Sequence, residues 1–160
     1  MARTWDKDQQ AYSIEQNKTI GTMLFGRVTC EGKVNFWVAE KGPIADFMSS
    51  IPRVVFSKSL KSVDLNNTRL VREPPEEEVR RLNREPGKDI FIFGSAKLWG
   101  HLLTHGLMHE PRLGVSRIVL GRRHPLFPSV AEPIGMKLLG AQARSNGPVV
   151  LRYVPTARAK

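Results

Sequence analysis

With 160 residues, 41% hydrophobic and 25% charged, the chain has the make-up of a single soluble domain with one sizeable core. Its 25 Lys and Arg against 15 Asp and Glu give a net charge of +10, so its surface favours anions: nucleic acid, an anionic membrane or a phosphorylated small molecule. One cysteine, Cys30, excludes an internal disulfide. No apolar run reaches the ~20 residues of a membrane helix. The opening "MARTWDKDQQ" has no apolar signal core. A cytoplasmic protein that does not enter the membrane is the expectation.

In chain order, residues 8–20 are polar and weakly helical, and "TMLFG" (22–26) reads as a short strand stopped by glycine. "RVTCEGKVNFW" (27–37) follows as a helix with Val34, Trp37 and Val38 on one face, weakened by Gly32. "GPIADFMSSIP" (42–52) spaces Ile44, Phe47, Met48 and Ile51 as a helix does, with Pro43 in its first turn and Pro52 ending it. Strands are expected at 53–57 and 68–71. "PPEEEVRRLNREPG" (74–87) is a helix with glutamates in its first turn and arginines in its last, as the helix dipole favours. Glu76/Arg80 and Glu77/Arg81 are i,i+4 pairs on it, and only Val79 and Leu82 can face a core.

"DIFIFGSAKLWGHLLTHG" (89–106) joins a continuous apolar run, Ile90 to Phe93, to an amphipathic helix. The run suits a central strand covered on both faces. Ser95 is placed to cap the helix N-terminus and Gly106 its C-terminus. Strands follow at 110–121, 136–144 and 148–154, the last two joined by the hairpin turn "SNG" (145–147). Strands alternating with helices and then an antiparallel close make an α/β domain with a mixed sheet.

Three strands end in small or polar residues beside a cation: Gly26 with Arg27 and Thr29, Ser57 with Lys58, and Gly94-Ser95 with Ala96 and Lys97. Ligands of open α/β sheets sit at the carboxyl ends of strands. A helix N-terminus there offers unpaired N–H groups, and a glycine lets the backbone approach a phosphate. Converging turns of this kind suit a ligand with several phosphates, a pyrophosphate at Gly94-Ser95 among them. "GSAKLWG" is not G-x-G-x-x-G and there is no G-x-x-x-x-G-K-[ST], so the Rossmann and P-loop folds are disfavoured.

The basic groups Arg80-Arg81-Arg84, Arg122-Arg123-His124 and Arg158/Lys160 form no run interleaved with aromatics, which disfavours nucleic acid as a partner. His101 and His105 stand i,i+4 on a helix with His109 close behind. No cysteine or carboxylate pair completes a ligand set, so no metal site is expected. Cys30 reads as a buried, inert thiol, Glu31 as the start of a helix, and Trp37 and Trp99 as core. Trp5 has no evident partner.

"MLFGRVTCEG" (23–32), "IPRVVFSKSL" (51–60), "NTRLV" (67–71), "EVRRLNREPGKDIFIFGSAKLWGHLLTHGL" (78–107) and "RIVLGRRHPLF" (117–127) resemble, in order, dihydrofolate-reductase-like proteins. The resemblance is greatest to stand-alone relatives of the C-terminal reductase domain of the bacterial bifunctional riboflavin deaminase-reductase. It implies one domain over 1–160, a three-layer α/β/α sandwich with a mixed, mostly parallel sheet and an antiparallel C-terminal hairpin. It implies NADPH as cofactor, with Gly26, Arg27 and Thr29 on its phosphates and Ser57 and Lys58 at the adenosine 2′-phosphate. Gly94, Ser95, Ala96, Lys97 and Leu98 would hold the pyrophosphate and nicotinamide side. Arg27 with Lys58 argues for NADP over NAD.

The family opens with an apolar strand and a Ser-x-Asp-Gly-like turn, for which "ARTWDKDQQ" is no match, so a chain without that first strand is expected. The implied activity is reduction of a small heterocycle, a pterin or a riboflavin-type pyrimidine, with no catalytic residue assigned. The alternatives are a non-catalytic NADP-binding or oligomeric relative and, less favoured, a basic nucleic-acid binder. Exposed edges in the C-terminal strands would permit a homodimer.

Overall fold

The computed structural model describes residues 6–34, 40–119, 121, 124–128 and 130–156. Helix α1 (Lys7–Asn17) is capped by Asp6, whose carboxylate accepts the Gln9 N–H at 2.9 Å. Strand β1 (Ile20–Gly26) leads into a single α-turn, α2 (Arg27–Thr29), that widens into a π-turn over Cys30–Val34. Then come α3 (Pro43–Ser50), β2 (Arg53–Phe56), β3 (Thr68–Val71), α4 (Pro75–Leu82), β4 (Asp89–Ile92) and α5 (Ala96–Thr104). Three strands close the fold: β5 (Arg112–Val115), β6 (Met136–Ala143) and β7 (Val149–Pro155).

The first four strands form one parallel sheet in the order β3-β2-β1-β4. Side chains alternate across a strand, and this divides the core in two. Met23 and Phe25 of β1 and Val55 of β2 pack with Cys30, Ile44, Met48 and Ile51 on the face covered by α1 and α3. Leu24, Val54, Phe56 and Val71 pack with Val79, Leu98 and Leu102 on the face covered by α4 and α5. These are the helix, sheet and helix layers that the resemblance implies. Arg53 is 3% exposed at the start of β2. Its guanidinium donates to the Met48 carbonyl at 2.5 Å, to the Asn66 carbonyl and to the Thr68 hydroxyl at 3.0 Å, so each of its three nitrogens has an acceptor.

The last three strands form a separate antiparallel sheet in the order β5-β7-β6. The hairpin turn falls at 145–147 as expected, with Gly147 at φ 101° and the Arg144 N–H donating to the Pro148 carbonyl at 2.8 Å. Helix α1 holds this hairpin. Asp8 accepts from the Arg144 guanidinium at 2.6 Å and from the Ser145 N–H at 2.9 Å, while Arg144 lies over the Tyr12 ring. The Ser145 backbone N–H is the main cause that holds the Asp8 carboxyl below its ordinary pKa.

Several expectations need correction. The helix over 27–37 is only an α-turn and a π-turn in its described part, because β-branched Val28 and Thr29 and then Gly32 weaken regular α geometry. Trp37 and Val38, and the side chain of Val34, lie outside the described residues, as do Trp5, Arg122, Arg123, Arg158 and Lys160. The strand over 110–121 is limited to Arg112–Val115. On α4, Arg81 pairs with Glu78 at 2.7 Å and with Glu85 at 3.1 Å, not with Glu77, and Glu76 pairs with a histidine of α5. Glu78 is drawn into the interior between Arg69 and Arg81.

β4 is the largest departure. Its apolar run suggested a central strand, yet it ends the parallel sheet, with Ile90, Phe91 and Ile92 only half-buried. Apolarity reports covered faces, and β4 has them: Phe91 meets one core cluster, and Ile90 and Ile92 the other. It does not report a neighbour in the hydrogen-bonding direction. Beyond β4 lies a groove of about 500 Å³ lined by Ile90, Ile92, Trp99, Leu102, Glu110 and Arg112. β5 is likewise an edge strand, so among the described residues two open sheet edges border one groove.

Candidate functional site

In a parallel sheet every strand ends on the same side. β2, β1 and β4 are neighbours, with Gly26 opposite Phe56 and Leu24 opposite Ile92. At about 4.8 Å between strands, the three turns that follow them lie within roughly 10 Å of one another. The topology therefore brings the three sequence-predicted turns together.

Ser95 joins two of them. It precedes α5 as expected, but it does not cap that helix with its side chain. Its φ of 57° and ψ of 64° are left-handed, and Gly94 before it is left-handed too at φ 72°. The reversal carries the Ser95 hydroxyl over the end of β1. There it accepts the Gly26 N–H at 2.8 Å and donates to the Thr29 hydroxyl at 2.7 Å. A Cβ on Gly26 would lie 3.1 Å from Ser95 Oγ, a tight contact that would press on the hydroxyl, and the glycine leaves that space open. With Ser95 engaged across the sheet, the first N–H of α5 to find a helical acceptor is that of Trp99, on the Ser95 carbonyl at 2.9 Å. Ala96, Lys97 and Leu98 thus open α5 with no side-chain cap over them.

Gly26, Thr29, Gly94 and Ser95 are in direct contact, with Ala96 and Lys97 next in the chain. Lys97 is exposed. The Leu98 side chain is buried in the core, so only its backbone belongs to the site. Arg27 is half-exposed and held by Glu31 at 2.9 Å, one turn on. Ser57 and Lys58 follow the neighbouring strand. The Ser57 hydroxyl accepts the N–H of Ser59 at 3.2 Å and of Leu60 at 3.1 Å, which fixes its own turn and leaves exposed Lys58 at the rim. No hydrogen bond joins Ser57 or Lys58 to the Ser95 cluster among the described residues.

The arrangement offers backbone N–H groups, two glycines that allow close approach, and three cations. That donor set fits an anion with several phosphates.

Cys30 is buried, as expected of an inert thiol, and burial raises its pKa more than neighbouring Arg53 lowers it. Trp99 borders the groove and stacks on Phe127 with ring centroids 4.5 Å apart. Two polar clusters escaped the sequence reading. Glu110 accepts from Arg152 at 3.0 Å and from Arg112 at 2.6 Å. These bonds, Arg152's first, overcome partial burial and bring its pKa down to about 2. Glu76 lies 2.6 Å from His101. The i,i+4 histidines were legible, but their acidic partner comes from α4, 25 residues earlier in the chain.

Residues 2–150 match the RibD C-terminal domain family. Uncharacterized protein YyaP of Bacillus subtilis (strain 168) is 30% identical over 139 residues, which cover 84% of this chain and 73% of that one. A pyrimidine reductase-like protein from Corynebacterium diphtheriae has the same fold (TM-score 0.73, 14% identity, covering 98% of this chain and 84% of that one). So has a diaminohydroxyphosphoribosylaminopyrimidine deaminase/5-amino-6-(5-phosphoribosylamino)uracil reductase from Thermotoga maritima (TM-score 0.68, 14% identity, 97% of this chain and 50% of that one). At these identities the likeness to the two structures is one of fold.

Proposed function

Because the chain belongs to the RibD C-terminal domain family, we propose that it binds NADPH across the ends of β1, β2 and β4 and reduces a small heterocycle of the riboflavin-pyrimidine type, such as 5-amino-6-(5-phosphoribosylamino)uracil. The observation that carries this reading is the Ser95 hydroxyl, which clasps Gly26 and Thr29 and leaves the start of α5 uncapped. The diphosphate is held by the first-turn N–H groups of α5, with Lys97 and Arg27 adding charge. Lys58 meets the adenosine 2′-phosphate from the turn that Ser57 fixes, so NADPH is preferred to NADH. NADPH, when bound, supplies the reducing equivalents. The protein orients cofactor and substrate, and no side chain is assigned as an acid. Incubating the purified chain with NADPH and that pyrimidine tests the reading. NADPH consumption that exceeds NADH consumption is expected. A folded chain that consumes neither contradicts the catalytic part.

One observation favours a second reading, a relative that is completed by another chain. Among the described residues β4 presents the apolar run Ile90–Ile92 at an unpaired edge, and the groove beside it is bordered by the equally open β5. An exposed apolar edge is a template for strand addition. On this reading the chain binds NADP without catalysis until an extended segment, from a second copy in a homodimer or from another polypeptide, lies along β4. Light scattering of the purified chain separates the cases: a dimer supports the second copy, and a monomer that is fully active removes this reading.

A further inference from the structure

We propose that Glu76, His101 and His105 form a binding site for a divalent transition-metal ion of the Zn²⁺ type, linking α4 to α5. One ligand atom from each of the three residues lies within 4.8 Å of the other two. His105, the C-cap of α5, follows His101 by four residues, so both rings stand on the same side, with centroids 4.3 Å apart. Glu76, in the first turn of α4, is directed at both. His101 Nε2 is 2.6 Å from one carboxylate oxygen, and His105 Nε2 is 3.9 Å from the other.

The orientation of His105 supports the site. Its Nδ1 lies 2.8 Å from the His101 carbonyl. A carbonyl only accepts, so Nδ1 carries the hydrogen, and Nε2 of the neutral ring is a lone pair. In the neutral ring that lone pair and a carboxylate oxygen 3.9 Å away are both acceptors, and a cation placed between them serves both. A backbone carbonyl that fixes the tautomer and turns Nε2 outward is the usual support of a metal-binding histidine. A tetrahedral Zn²⁺ with bonds of about 2.1 Å holds neighbouring donor atoms about 3.4 Å apart. The 2.6 Å and 3.9 Å separations involve different oxygens of Glu76, and one ligand atom from each residue lies within 4.8 Å of the others, so rotations that bring one carboxylate oxygen to both imidazoles admit the ion. It replaces the hydrogen between His101 and Glu76 and satisfies His105 as well. Two imidazoles and one carboxylate suit Zn²⁺, Ni²⁺ or Cu²⁺ over Mg²⁺ or Ca²⁺, and three protein ligands leave a fourth position for water. His101 stands in the second half of α5 and His105 at its C-cap, away from the turn at Ser95, so the site is independent of the proposed cofactor site.

The test is calorimetric titration of the chelator-treated full chain with ZnCl₂ at neutral pH, with thermal melts in parallel. One Zn²⁺ per chain and a rise in Tm are expected. Affinity should fall about tenfold or more in His105→Ala and Glu76→Gln, as loss of a ligand group does, and should be unchanged in the neighbouring control His109→Ala. Co²⁺ should give the absorption of a tetrahedral ion. Should a variant unfold, the Co²⁺ spectrum of the wild-type chain decides. No uptake, a response to MgCl₂ equal to that to ZnCl₂, or equal affinity in folded His105→Ala would overturn the proposal and leave a plain imidazole–carboxylate pair.

Discussion

The Ser95 hydroxyl donates to Thr29 and accepts from Gly26, so removing it strands an N–H and a hydroxyl together. Ser95→Ala should cost about 1–2 kcal/mol, read as a lower urea midpoint, and should weaken NADPH binding as well. Gly94→Ala leaves every side-chain contact in place but puts a Cβ on a φ of 72°; a loss of about 1 kcal/mol is expected from that alone. Glu110 makes a prediction in pH. Its carboxyl falls from 4.5 unfolded to about 2 folded, so it adds stability above pH 4.5, and that stability is lost as the pH drops towards 2. Urea midpoints across this range should decline in the wild type and decline less in Glu110→Gln. The sequence singled out Gly26, Gly94 and Ser95 as candidates because small residues follow three strand ends beside cations, and the fold brings these three into contact. It misplaced the role of Ser95, since a serine before a helix reads as a cap and only the left-handed turn sends its hydroxyl across to β1. The Arg152 partner of Glu110 and the His101 partner of Glu76 gave no signal, because tertiary packing brings them together from 42 and 25 residues away.

At the scale of elements, β1, β2, β4 and α5 around the site were legible from periodicity and punctuation, while the segment after β1 was not, since it forms an α-turn and a π-turn where a helix was expected. Pro43 opens α3 as expected, and Gly106, at φ 68°, follows the end of α5 while the Leu107 N–H reaches the Leu102 carbonyl at 2.9 Å. The rank of β4 in the sheet was not legible, because a strand covered on both faces has one apolar pattern whether or not its edge is paired. The open edge has a measurable consequence. Amides of β4 outside its ladder with β1 should exchange with solvent much faster than those of β1, which is paired on both sides. Hydrogen exchange followed by mass spectrometry of peptides over 88–94 and 20–26 checks this. Equal protection of the two strands would mean that β4 is already paired in solution.

For the whole molecule, the +10 charge favours anions, and the ends of β1, β2 and β4 gather the turns on which the proposed cofactor site rests. None of the described helices is long and apolar enough to cross a membrane. The most direct measurement is a fluorescence titration of the folded chain with NADPH and with NADH, repeated on Lys58→Ala. The account predicts saturable binding that is tighter for NADPH, and a preference that shrinks in the variant because Lys58 meets the 2′-phosphate. Binding of neither nucleotide by a chain with an intact fold would contradict it.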